Sequence, residues 1–343
     1  MRSPRRRSHT RSIAAGLAAA ALAVTAGCSS GDAAPSTDRP DTGRRTIVVT
    51  YAMLGAVVRD AVGDAADVTV LIPDGADPHG WEPSAKDIEA INNADLVIRN
   101  GLDLEEGLGD ALDGAADDGV PMFVASDHVT IRTIGEGEAV ASDEHGDVHG
   151  DEHGDEHGHE HGDEHGHEHG DEHGEGSQDP HLWMDPLTMR DIVTALDPVL
   201  SAQGIDATAG VERVAASLVD LDAEVREILA VVPVDDRKLV TGHESFGYFA
   251  DRYEFQLIGA IIPSLTSQAE VSSGELADLA VRIEEAGVQA IFTEIGTSPE
   301  VAQAIGDETG VQVVEVASHT LPDDGTYASF ITGNARTIAT ALR

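Results

Sequence analysis

The chain has 343 residues, with 63 Asp and Glu against 21 Lys and Arg, for a formal net charge of −42. That balance excludes nucleic acid as a partner and suits an exported protein that draws cations towards itself. A single cysteine, Cys28, excludes a disulfide within the chain, and the length allows two ordinary lobes with real cores.

Taken in chain order, the first features concern export. Arg2, Arg5, Arg6, Arg7 and Arg11 precede an apolar run over 13–27. These are the positive region and short apolar core of a secretory signal peptide spanning 1–27, and the run is too short to persist as a membrane span. Thr25-Ala26-Gly27-Cys28 is similar to a bacterial lipobox, with Thr25 where Leu is usual. Cys28 is therefore expected to carry lipid and anchor the exported protein on the outer face of the cytoplasmic membrane. Residues 28–44, rich in Ser, Pro, Gly and Asp, read as a flexible tether.

Apolar runs at 46–51, 68–72, 96–99 and 120–124 predict strands, and helical patterns lie between them at 54–62, 84–92 and 104–112. The alternation predicts a parallel α/β lobe over 45–206. Within it, residues 135–176 hold ten of the sixteen histidines: His145, His149, His153, His157, His159, His161, His165, His167, His169 and His173. Imidazoles interleaved with carboxylates are ligands for borderline cations such as Zn²⁺. Frequent Gly and scarce apolar surface predict a disordered loop, which would collect metal without selecting it. A solvated linker is the plainer alternative. From 207 to 232 apolar residues recur at helical spacing, with no Gly after Gly210 and no Pro before Pro233, predicting one long linking helix. Strand and helix patterns then alternate through a second α/β lobe over 233–343: 238–241, 246–252, 256–261, 273–286, 290–294, 299–309 and 311–316, with a final helix over 327–342.

Outside the signal peptide and the loop, five histidines remain: His79, His128, His181, His243 and His319. Asp77-Pro78-His79 and Asp179-Pro180-His181 repeat one rigid tripeptide that fixes where a ring points. His79, His243 and His319 each follow a predicted strand, where parallel sheets bind ligands; His128 reads as an exposed loop residue. For one histidine alone a surface or hydrogen-bonded ring is the commoner outcome. Four together, on a chain with a His-rich loop, favour a tetrahedral Zn²⁺ site, with Asp77, Glu82, Asp179, Glu244 and Glu294 placed to orient the rings.

The stretches V-V-T-Y-A-M-L-G-A-V-V-R-D-A-V-G-D, L-I-P-D-G-A-D-P-H-G-W-E-P, D-P-H-L-W-M-D-P, V-T-G-H-E-S-F-G-Y-F-A-D-R-Y and T-Y-A-S-F-I-T-G-N-A-R-T-I-A-T-A-L carry a family resemblance. From Thr46 to Leu342 the chain resembles the solute-binding proteins of bacterial zinc and manganese ABC importers, the zinc-uptake branch above all. The resemblance implies two pseudo-symmetric α/β lobes bridged by one long helix, with metal in the cleft between them. It carries the first three ligands to His79, His181 and His243. Histidine at the third position resembles the zinc members, since manganese members commonly have a carboxylate there. At the fourth, where the family commonly has Asp, this chain reads Ala317-Ser318-His319-Thr320-Leu321; His319 is the expected ligand, with Glu294, Asp323 and Asp324 as substitutes. The implied function is a monomeric, lipid-anchored receptor that delivers Zn²⁺, or less favourably Mn²⁺, to the membrane permease of an ABC transporter. It is not expected to be an enzyme. A zinc buffer or adhesin without a transporter stays open. So does a zinc hydrolase using three histidines, a water and Glu244 or Glu294 as base, although H-E-x-x-H is absent.

Overall fold

The computed structural model describes residues 43–134 and 176–343. The signal peptide over 1–27, Cys28, all but the last two residues of the tether, and the ten histidines of the acidic loop lie outside the described residues. Among the described residues no helix is long and apolar enough to cross a membrane.

One pattern is built twice. The first half alternates β1 (Arg45–Val49), α1 (Ala52–Val62), β2 (Ala66–Val70), α2 (Ala85–Asn92), β3 (Leu96–Arg99), α3 (Gly109–Asp117) and β4 (Met122–Val124). After α4 (Pro186–Ala202) and α5 (Thr208–Leu229), the second half alternates β5 (Lys238–Thr241), α6 (Gly247–Tyr253), β6 (Gln256–Ala260), α7 (Ser273–Ala286), β7 (Ala290–Thr293), α8 (Pro299–Thr309) and β8 (Gln312–Glu315), and α9 (Tyr327–Ala341) ends it. Each half forms a parallel four-stranded sheet, ordered β2-β1-β3-β4 and β6-β5-β7-β8. The result is the expected two-lobed α/β fold. Strand order reverses at the same point in both sheets, which opens a crevice beyond the carboxyl ends of β1 and β3 and of β5 and β7.

Local chemistry accounts for these elements. Ile47, Val48 and Val49 of β1 and Leu96, Val97 and Ile98 of β3 are wholly buried, the continuous apolar run of a strand covered on both faces. Ser84 and Asp87 form a capping box at α2, as Ser272 and Glu275 do at α7. The linking helix is α5, whose 22 residues span about 33 Å. It packs against α1, α4 and α9, so the end of the chain returns to the helices beside the first sheet.

Two elements differ from expectation. The helix read at 104–112 begins later: Gly101, Leu102 and Asp103 all have positive φ, residues 106–108 form a 3₁₀ turn, and α3 starts at Gly109. The cause is Glu105, whose buried carboxylate accepts hydrogen bonds from Thr50 Oγ1 at 2.5 Å and from Asn100 N at 2.6 Å and draws the chain inward. Helix α4 was not anticipated. Asp185 caps it by accepting from Leu187 N at 2.8 Å, and Pro186 occupies its first turn; Pro198 inside it reads as a break in the sequence.

Helix α5 meets α1 at Gly210, where an added Cβ would fall on the backbone carbonyl of Ala61, whereas Gly114 in α3 has open space around it. Gly210→Ala is expected to destabilise the fold by about 1–3 kcal/mol. Gly114→Ala is expected to stabilise it by about 0.5–1 kcal/mol. Urea unfolding midpoints check both signs.

Candidate metal centre

Each of the four histidines is positioned by a different loop. His79 sits in a 3₁₀ turn, Pro78–Gly80, capped by Asp77 Oδ1, which accepts from His79 N at 3.1 Å. The other oxygen of Asp77 accepts from Ser267 Oγ and, at 3.4 Å, from Gln268 Nε2, so the loop after β2 is tied to the loop after β6. His181 follows the second Asp-Pro pair: Asp179 Oδ1 lies 3.0 Å from His181 N and 2.8 Å from its Nδ1. His243 stands just beyond β5. Its Nδ1 is 2.7 Å from Oε1 of Glu294, the residue after β7, which also accepts from His243 N at 3.0 Å and Ser245 Oγ at 3.1 Å. His319 lies beyond β8 with Nδ1 2.8 Å from Ser318 Oγ.

An ionised carboxylate only accepts, so Asp179 and Glu294 fix the proton on Nδ1 of His181 and His243 and turn each Nε2 inward as a free electron pair. There, His181 Nε2 lies 3.3 Å from His79 Nε2 and 3.2 Å from His243 Nε2. A tetrahedron with metal–nitrogen bonds of about 2.0–2.1 Å has edges of about 3.3–3.4 Å, so these nitrogens are spaced as vertices around one ion. His79, His181 and His243 form one group of metal-capable side chains, and Asp77, His79 and His319 form another. The ring of His319 stacks at 5.8 Å from that of His243, and its Nε2 is buried without a hydrogen-bond partner among the described residues, which is costly unless something binds it.

All four rings are buried. Desolvation, reinforced by neighbouring His243, holds His181 and His319 well below the ordinary imidazole range. Burial pushes the Asp179 carboxyl up to about 6, although the amide of His181 and the guanidinium of Arg132 oppose it.

Of the other residues singled out in the sequence, Glu294 lies beneath His243 and Glu244 is half-buried beside it. Glu82, Asp323 and Asp324 are exposed and join neither metal-capable group; Asp324 instead accepts from Thr326 N at 3.0 Å at the start of α9. His128 is exposed and stacks on Phe123 at 4.5 Å. Sequence reasoning missed Trp183, wholly buried between His181 and His319, with Nε1 donating to Ser318 O at 2.9 Å. Its place in Asp-Pro-His-Leu-Trp was a usable signal. Arg132, and the pairing of Arg252 with Asp185 at 2.7 and 2.9 Å, had none.

This fold and this buried nitrogen-rich cluster define a metal-binding protein. Comparison with known families matches residues 47–341 to the family described as "Zinc-uptake complex component A periplasmic". The chain belongs to this family, whose members are extracytoplasmic metal-binding receptors of ABC uptake systems working with a membrane permease. It is 25% identical over 321 residues to the zinc-binding protein TroA of Treponema pallidum, covering 90% of this chain and 92% of TroA. It is 23% identical over 328 residues to the manganese-binding lipoprotein MntA of Halalkalibacterium halodurans, covering 93% and 94%. The solved structure of TroA from Treponema pallidum matches the fold with a TM-score of 0.67 at 24% identity, over 88% of this chain and 99% of that one.

Metal needs unprotonated rings, so acid weakens binding; because burial lowers His181 and His319, the competition starts only beneath the ordinary value of about 6.5. The Zn²⁺ dissociation constant is expected to stay level between pH 8 and 7 and to rise below 6.5. Chelator competition at stepped pH checks this, and a rise already between pH 8 and 7 contradicts it.

Proposed function

We propose that the protein is a zinc receptor: it captures Zn²⁺ outside the cytoplasmic membrane with His79, His181, His243 and His319 and hands it to the permease of an ABC importer. The spacing of the inward Nε2 atoms, 3.2 and 3.3 Å about His181, carries this reading. Four neutral nitrogens suit Zn²⁺, whereas Mn²⁺ favours carboxylate and other oxygen donors. The neighbouring carboxylates support the same choice, because Glu294 and Asp179 are engaged with ring Nδ1 atoms, and Asp77, which groups with His79 and His319, accepts from His79 N and Ser267 Oγ. With every tetrahedral position taken by protein, no water remains to be activated, which favours a receptor over a hydrolase.

The finer parts rest on the sequence. Signal peptide 1–27 directs export, Cys28 holds the protein to the membrane by lipid, and it acts as a monomer. The ten histidines between 135 and 176 collect Zn²⁺ weakly and raise its concentration near the tight site.

Competition between Zn²⁺ and Mn²⁺ tests the reading. The intact protein is expected to bind one Zn²⁺ tightly and several weakly, with Zn²⁺ preferred. His181→Ala is expected to weaken the tight phase beyond the roughly 10–100-fold that follows loss of an outer partner. His319→Asp is expected to narrow the preference for Zn²⁺, and deletion of 135–175 to remove only the weak phase. Preference for Mn²⁺ by the intact protein would establish the manganese reading instead; loss of the tight phase on deletion would put loop histidines in the primary site.

A further inference from the structure

Arg132 belongs to neither the histidine cluster nor any motif, yet its backbone and two of its guanidinium nitrogens engage the elements around that cluster. Residues 132–134 pair with 176–179 in a short antiparallel ribbon: Ile134 N donates to Ser177 O at 3.0 Å and Asp179 N to Arg132 O at 2.9 Å. The side chain of Arg132 is only 8% exposed. Its Nη1 lies 3.4 Å from Asp179 Oδ2 and its Nε 3.0 Å from Asp251 Oδ2, while its backbone N–H donates to Tyr248 Oη at 2.9 Å. Tyr248 Oη in turn donates to Asp179 O at 3.3 Å. Tyr248 and Asp251 belong to α6, which starts four residues after His243. One guanidinium therefore joins the loop carrying His181 to the helix that follows His243.

A separate observation supports the importance of this junction. Gly247, the first residue of α6, faces the pair so closely that an added Cβ would collide with both Asp179 Oδ2 and Arg132 Nη1. The helix approaches there with no side chain, leaving the pair room.

We propose that Arg132 is a positioning residue for the metal site: by holding Oδ2 of Asp179 it aims Oδ1 at His181 Nδ1, and so keeps His181 Nε2 on the shared metal position. The inference rests on the zinc-receptor reading above. A planar guanidinium holds its donors in fixed directions, so Nε on Asp251 locks where Nη1 meets Asp179 Oδ2, which an ammonium does less well. Without that lock Asp179 can turn, the ring of His181 can follow, and the tetrahedral spacing is lost.

The test compares intact protein with Arg132→Met, Arg132→Lys and Gly247→Ala, using Zn²⁺ affinity at fixed pH and ring ¹⁵N NMR of metal-free His181. Arg132→Met is expected to weaken Zn²⁺ binding by about tenfold, the lower end of what outer partners contribute, and to mix the two His181 tautomers. Gly247→Ala removes no charge and is expected to move both readouts in the same direction by displacing the pair. Arg132→Lys is expected to recover part of the affinity. Folded variants with unchanged affinity and an unchanged His181 signal would overturn the role of Arg132 and leave the receptor reading standing. Absence of a tight Zn²⁺ site in the intact protein would overturn both. Should Arg132→Met fail to fold, Gly247→Ala and Arg132→Lys decide the matter.

Discussion

Imidazole nitrogens held 3.2 and 3.3 Å apart out of reach of water can face one another only if few of them carry a proton. Protonated rings at that distance would repel, and desolvation would oppose each charge. The proton must therefore sit on Nδ1, and an acceptor must keep it there. Asp179 does so for His181 and Glu294 for His243. Each carboxylate, itself buried, then needs donors: Arg132 and the amide of His181 serve Asp179, and the amides of Gly242 and His243 with Ser245 Oγ serve Glu294. The polar architecture of the cleft follows from keeping inward nitrogens unprotonated, which leaves a concentrated set of electron pairs for a cation.

The duplicated topology explains where those groups come from. In the second sheet the reversal point lies between β5 and β7, and His243 and Glu294 stand immediately beyond those two strands. In the first sheet the equivalent place, beyond β1 and β3, is held by Thr50 and Asn100 around the buried carboxylate of Glu105. Burial raises Glu105 above the usual carboxylate range despite the hydrogen bonds it accepts. Asn100 Nδ2 donates to Pro180 O at 2.8 Å, so this crevice supports the turn that presents His181. One half presents a ring at its reversal point; the other braces a ring presented by a later loop.

Much of this was legible in the sequence. Continuous apolar runs marked the strands, the Asp-Pro-His repeat marked two of the rings, and its place after a predicted strand, together with the family resemblance, brought His319 to notice. What was hidden follows from physics that acts between distant residues. Arg132 reaches Asp251 over a sequence separation of 119, and Arg252 reaches Asp185 over 67, so no local period announces either pair. Helix α4 was obscured by an interior proline whose local meaning is a break. The start of α3 was displaced by one buried carboxylate that propensity does not register.

The central claim is that four imidazole nitrogens form the complete inner shell of the tight site. Zinc K-edge X-ray absorption on protein loaded with one equivalent of Zn²⁺ addresses it directly. The account predicts four nitrogen neighbours at about 2.0–2.1 Å, with outer-shell scattering from four imidazole rings. A bound carboxylate or water oxygen in place of one ring would contradict it.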